Sequence, residues 1–79
     1  MTKIGKYLTV QKVDVPERVT DVWQVFGTTD VLGRVEWSGR WRQYVFTPMK
    51  GTIYNAGCLD DISAFLKAQN INHRNSLVK

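Results

Sequence analysis

Cys58 and His73 are the side chains whose chemistry could support nucleophilic catalysis, and each is the single residue of its type. A cysteine where a helix begins can be held as a thiolate by the helix dipole, but it also needs a positioned histidine and a third group. His73 lies in a polar C-terminal stretch that is expected to be loosely held. Cys58 is therefore predicted to pack as a small apolar residue beside Leu59.

Asp60 and Asp61 come nearest to an acid–base pair, but adjacent side chains on a helix diverge. We predict that they complement the helix dipole in its first turn. Gly33, Gly51 and Gly57 are too scattered to form a phosphate-binding loop. One cysteine and one histidine supply too few ligands for a Cys- or His-rich metal site. We expect a protein that is not an enzyme and that has no catalytic residues, cofactor or metal.

The segment from Leu32 to Phe46, LGRVEWSGRWRQYVF, is rich in tryptophan, arginine and tyrosine, the residues enriched in binding hot spots. Arginines beside exposed rings are also typical of single-stranded nucleic-acid binders. In the alternative interpretation the rings form the core and the arginines lie over them, as cation–π pairs commonly do. The candidate partner-binding residues are Arg34, Arg40, Trp41, Arg42, Tyr44 and Lys50.

These residues must be positioned by a small sheet. Alternating apolar residues predict strands over residues 6–15, 21–26, 31–37 and 41–47. Pro48 ends the fourth of these because proline has no amide hydrogen for another ladder. Residues 51–55 are a candidate for a brief fifth strand.

After the strands the apolar spacing becomes helical, with Leu59, Ile62, Phe65 and Leu66 on one stripe. This predicts a helix over residues 58–69. The expected fold is α+β: an antiparallel meander of four or five strands with one C-terminal α-helix packed on one face. Residues 1–70 would form a single domain, and residues 71–79 a flexible polar C-terminal tail.

The register of the hairpin between residues 31 and 47 decides which rings are exposed. A two-residue loop at Ser38-Gly39 places Trp37 and Tyr44 toward the core and Trp41 on the outer face. A three-residue loop pairs Trp37 with Trp41, buries both, and exposes Tyr44 and Phe46. The two-residue loop is the commoner length. The three-residue loop gives better cross-strand partners and is preferred, although both alternatives place arginine beside a large aromatic residue.

The segments LGRVEWSGRWRQYVFTP and CLDDISAFL resemble a family of very small proteins of bacteriophages and bacterial mobile elements. The family pattern has the form L-G-x-[IV]-x-W-x-x-x-W-R-x-Y-x-F-x-P, followed by C-L-x-D-I-x-x-F. The resemblance covers about residues 23–66, and residues 1–19 and 71–79 lie outside it. It implies a phage-type accessory protein in a bacterial host and implies no reaction. The residues that carry it are Trp37, Trp41, Arg42, Tyr44, Phe46, Pro48, Cys58, Leu59, Asp60, Ile62 and Phe65.

Charge and composition restrict the partners. The net charge of +4 excludes an acidic mimic of DNA and favours polyanions only mildly. No apolar run approaches the ~18 residues that span a bilayer, and the N-terminus lacks the apolar region of a signal peptide. We expect a host cytoplasmic location and no membrane partner. A host protein is the first expected partner, in a host-takeover or anti-defence role, and nucleic acid is the second. A second copy pairing through an exposed strand edge and a minor structural phage role are further alternatives.

Overall fold

The protein is a five-stranded antiparallel sheet with one long helix on one face. The structure is a computed structural model and describes residues 1–77 of the chain. The sheet order β1-β2-β3-β4-β5 follows the chain, and every neighbouring pair is antiparallel. The predicted α+β class and the meander are therefore confirmed. The elements are β1 (Thr2–Lys3), β2 (Thr9–Val13), β3 (Val22–Phe26), β4 (Val31–Ser38), β5 (Gln43–Pro48) and α1 (Ala56–Leu77).

The core lies between α1 and the sheet. Alternate residues of neighbouring strands meet on this side, as in the cross-strand pairs Val10–Val25 and Trp23–Val35. Val25 and Val35 are 0% exposed, and Ile62 of α1 belongs to the same buried cluster. Burying one such side chain stabilises the fold by ~1.5–3 kcal/mol relative to leaving it exposed. This row of residues therefore joins the three central strands beneath the helix.

An aromatic cluster lies beneath α1, from Phe65 to His73. The ring of Trp23 makes edge-to-face contacts with Tyr44 and Phe65, at centroid distances of 5.6 and 5.3 Å. Trp37 contacts Tyr44 at 5.4 Å and lies 4.2 Å from the ring of His73. Such pairs contribute ~0.5–1.5 kcal/mol each beyond the area that they bury. Trp23 is thus a core residue, and Trp37 is partly buried at the margin of the core.

A bulge in β4 organises the chain between β5 and α1. The β3–β4 register shifts between Val25 and Phe26, which leaves Leu32 without a cross-strand partner. The carbonyl oxygen of Leu32 instead accepts hydrogen bonds from the backbone N–H of Met49 and the hydroxyl of Tyr54, both at 2.8 Å. The bulged carbonyl therefore ties the segment that precedes the helix to the sheet.

Two strand predictions are wrong: the start of the first strand and the position of the fifth. The first long strand begins at Thr9, and the additional fifth strand is the N-terminal pair Thr2–Lys3. Residues 51–55 form no strand in the described structure. Residues 49–52 instead form a turn, in which the N–H of Thr52 donates to the carbonyl of Met49 at 3.3 Å. Gly51 occupies its left-handed position with φ 83°, a conformation that glycine adopts without steric cost.

The helix is longer than predicted at both ends. Asn55 caps its N-terminus, because its Oδ1 accepts a 2.8 Å hydrogen bond from the N–H of Cys58. Asp60 and Asp61 consequently lie beyond the first turn. The C-terminus of α1 is Leu77, so residues 71–77 are helical where the sequence predicted a tail. Residues 78–79 of that predicted tail lie outside the described residues. No helix in the described part of the chain has the length and apolar character needed to cross a membrane.

Candidate partner-binding surface

The β4–β5 hairpin closes with a longer loop than either predicted register allows. Trp37 pairs with Tyr44, and Ser38 pairs with Gln43. The loop therefore consists of residues 39–42, which we call the hairpin tip. Both predicted pairings, with loops of two and three residues, are wrong.

The faces of Trp37 and Tyr44 nevertheless agree with the two-residue alternative, while Trp41 lies in the loop and on neither face of the sheet. Loops of two and four residues shift the pairing by an even number of positions, so each side chain stays on the same face. Tyr44 is 6% exposed and lies in the core, whereas Trp41 is 67% exposed. The preferred three-residue alternative, which buries Trp41 and exposes Tyr44, is thus wrong in its assignment of faces.

The tip is held in a defined conformation. The backbone N–H of Trp41 donates a 3.2 Å hydrogen bond to the hydroxyl of Ser38. Arg42 adopts a left-handed conformation with φ 53°, which costs a non-glycine residue ~1–2 kcal/mol. Arg42 is the last residue of the loop before β5 begins at Gln43.

The six candidate residues do not converge on one surface. Arg40, Trp41 and Arg42 are exposed together at the tip. Arg34 lies on the face away from α1, where its Nε is 3.2 Å from a carboxylate oxygen of Glu36. Lys50 lies in the turn beyond the other end of β5, ~17–20 Å from the tip at ~3.3 Å per strand residue.

Tyr44 is mainly an interior residue, and the small exposed part of it lines the depression between β5 and α1. Its neighbours Trp23 and Trp37 enclose its ring. Burial raises the pKa of its hydroxyl above the ordinary value of 10.0. The carboxylate of Asp21 raises this pKa further, while the Asp21 backbone and the charge of Lys12 oppose the shift. The expectation that Tyr44 is an exposed ring is wrong, because its side chain is 6% exposed.

Helix α1 contributes surface residues that were predicted to be core residues or were not among the candidates. A groove runs between β5 and α1, which we call the edge groove. Leu59 is 52% exposed at one end of it, although its helical spacing suggested the core. Leu59 lies on the same helical stripe as the buried Ile62, so periodicity alone could not show that it is exposed. The principal lining residues of the edge groove are Trp41, Val45, Phe46, Leu59, Leu66 and Lys67.

A second depression adjoins the tip, which we call the basic notch. Trp37, Arg42, His73 and Arg74 line it. Gln43 and Asn70 belong to both depressions. Among the described residues that line the groove and the notch, none is aspartate or glutamate. The positive charge of this end of the molecule is therefore not neutralised locally.

The free edge of β5 is partly closed to strand pairing. The Oδ1 atom of Asn70 accepts a 2.7 Å hydrogen bond from the backbone N–H of Tyr44. Because outward-facing groups alternate along a strand, Phe46 and Pro48 face the same edge. Pro48 has no N–H to offer, so the backbone N–H of Phe46 is the remaining donor of this edge.

The residues with catalytic chemistry lie apart. Cys58 and His73 are on the same helix, separated by ~22 Å at ~1.5 Å per residue, so they cannot form a nucleophile–base pair. Within residues 1–77, no group of three or more His, Cys, Asp or Glu side chains could hold a metal ion.

The tip, the edge groove and the basic notch thus form the candidate surface. Comparisons with protein-family models, curated proteins and solved structures find no match to this chain.

Proposed function

We propose that this chain is a non-enzymatic accessory protein that binds a host protein through the hairpin tip and the adjoining edge groove. The observation that carries the proposal is the exposure of Trp41. A tryptophan that is 67% exposed on a loop held by Ser38 and Arg42 presents a large apolar ring in a preorganised position. Tryptophan and arginine at the centre of a contact account for much of its binding energy.

Residues 23–66 resemble a family of small phage and mobile-element proteins, and this resemblance supports a phage-type accessory role. We therefore propose a host-takeover or anti-defence role in a bacterial cytoplasm. A minor structural role in a phage particle belongs to the same setting. The exposed ring and the unneutralised arginines favour a binding role over a purely structural one, because a packed structural component covers such groups.

A second candidate function is nucleic-acid binding. Arg40 and Arg42 flank Trp41 in the chain, and Arg74 lines the adjoining basic notch. A base could stack on the exposed ring. The edge groove favours a protein partner instead, because its lining is mainly apolar and contains one basic residue, Lys67.

The test is capture of partners from bacterial lysate on tagged protein, with and without nuclease, and with washes at low and high salt. We expect one discrete protein to survive nuclease and high salt, since phosphate contacts are strongly salt-dependent and apolar contacts are not. Trp41→Ala should abolish its capture. Tyr7→Ala is the matched control, because Tyr7 is also exposed but lies in the β1–β2 turn.

Arg42→Ala separates binding from folding. We expect it to weaken capture while leaving the free energy of unfolding nearly unchanged, because Arg42 forms no ion pair among the described residues. Equal losses of capture and stability would make Arg42 a structural residue. Bound material that disappears with nuclease would support the nucleic-acid function.

A further inference from the structure

The edge groove and the basic notch are one continuous surface with two chemical halves. They meet at Gln43 and Asn70, which line both. On one side of this junction the lining is mainly apolar, with Leu59, Leu66 and Phe46. On the other side it is basic, with Arg42 and Arg74. An occupant that fills both halves must itself change from apolar to charged along its length.

The length of the groove limits the size of this occupant. From Leu59 to Asn70 the helix advances ~16 Å at ~1.5 Å per residue. An extended chain advances ~3.3 Å per residue, so about five residues fit beside β5.

The edge of β5 offers few backbone donors to such a segment. Asn70 already occupies the N–H of Tyr44, and Pro48 has none, so strand addition to β5 has the Phe46 N–H as its remaining backbone donor. The outward carbonyl groups of this edge can still accept hydrogen bonds, so we expect the side chains in the groove to supply the selectivity. The same shortage of backbone donors disfavours a second copy of the chain pairing edge to edge.

The positive charge of the basic notch indicates which part of the occupant must be acidic. Arg42, Arg74 and Lys67 form no ion pair among the described residues, in contrast to Lys12, Arg18 and Arg34, which do. Because the lining has no carboxylate, the notch favours an anion. The apolar groove beside it makes a nucleic-acid backbone a poorer fit, since phosphates would need basic contacts along the whole surface.

From these observations we infer that the partner supplies an extended segment of about five or more residues, with large apolar side chains in the edge groove and neighbouring carboxylates at the basic notch. This inference rests on the proposed protein-binding function and names the chemistry of the partner. Trp41 covers the apolar side chains, and the two arginines bind the carboxylates.

The experiment is selection from a displayed library of random peptides of about eight residues, enough to exceed the groove. The full chain is compared with the charge-reversed variant Arg42→Glu/Arg74→Glu. The matched control is Lys3→Glu/Lys50→Glu, which changes the net charge equally but lies away from the surface. Circular dichroism and unfolding curves establish that all three proteins fold.

We expect the full chain and the control to enrich apolar residues next to Asp or Glu. The best peptide, measured by fluorescence polarisation, should bind the charge-reversed variant at least ~10-fold more weakly, a loss of ~1.4 kcal/mol. The charge-reversed variant should itself enrich Lys or Arg in place of the acidic residues.

Enrichment without acidic residues, or equal affinity for the charge-reversed variant, would overturn the inference. A lysate protein whose capture depends on Trp41 but not on Arg42 and Arg74 would overturn it while leaving the proposed function in place. Tighter binding of single-stranded oligodeoxythymidylate than of any selected peptide would overturn both.

Discussion

The side-chain oxygen of Asn70, on α1, accepts a 2.7 Å hydrogen bond from the backbone N–H of Tyr44, on the edge strand β5. One side chain thereby fastens the second half of the helix to the sheet and occupies a donor of the open edge. An unpaired edge donor invites pairing with another chain.

Asn70→Ala should destabilise the protein by ~1–2 kcal/mol, because it leaves the part-buried Tyr44 N–H without an acceptor. Hydrogen exchange at this amide should accelerate, as measured by NMR. Asn70→Asp keeps the acceptor and should exchange slowly. Asn72→Ala, an exposed change of the same kind on the same helix, is the control, and equal effects of the two alanine variants would contradict the role of Asn70.

Gly33→Ala should destabilise the protein by ~1–3 kcal/mol through overpacking. A Cβ at this position meets the carbonyl oxygen of Thr47 and lies 2.9 Å from the ring of Phe46. Gly39→Ala is the matched control, since a Cβ there has open space around it. The midpoints of chemical denaturation measure both changes, and a stable Gly33→Ala protein would show that β4 and β5 can separate locally.

Stability should decrease with rising pH above about 10 through Tyr44. Its pKa is raised in the folded protein, so the unfolded chain loses this proton first. Its contribution is complete below the unfolded pKa and is lost as pH rises toward the folded pKa. The free energy of unfolding of Tyr44→Phe, measured between pH 8 and 12, should lack this component. Tyr7→Phe, at an exposed tyrosine, should retain it.

Arg42→Gly should stabilise the fold by ~0.5–1 kcal/mol, because glycine adopts the left-handed conformation of this position without a steric penalty. Arg42→Ala should bring no such gain, since alanine keeps the penalty. Denaturation at an unchanged m value is the measurement. A stabilising Arg42→Ala would show that charge, and not backbone conformation, sets the cost of this residue.

The fold class could be predicted because the spacing of apolar residues and the local composition indicate which segments are strands and which is the helix. Alternation in residues 31–37 places Val35 and Trp37 on one face, and the structure buries that face against the helix. The spacing of Ile62 and Phe65 likewise predicted the helix face that packs on the sheet. These local patterns are set by which side chains must leave water.

The hairpin register could not be predicted, because the turn signal lies in the wrong place. Ser38-Gly39 looks like a turn, yet the left-handed residue of the loop is Arg42, a residue type with no preference for that conformation. The strand ladder ends at the pair Ser38–Gln43, so the loop extends as far as Arg42. The candidate surface was therefore only partly predictable. Trp41, Arg40 and Arg42 meet at the tip, Tyr44 is mostly buried at the edge groove, and Arg34 and Lys50 lie elsewhere.

The helix end was missed for a related reason. Residues 70–77 lack an apolar stripe, so periodicity ends near Gln69. Their helical conformation is accompanied by two contacts that no local pattern reveals: the Asn70–Tyr44 hydrogen bond and the stacking of His73 on Trp37.

The strand order of the sheet has a consequence for the folding rate. Each strand pairs with its neighbour in the chain, so every hairpin can close over a short loop, and such local topologies fold quickly. The contacts between Trp23 and Phe65 join distant parts of the chain and require the helix. We expect the β2–β3 and β3–β4 hairpins to form in the folding transition state and the helix to dock after it. Changes in these hairpins should then slow folding, whereas changes at Asn70 and His73 should mainly accelerate unfolding.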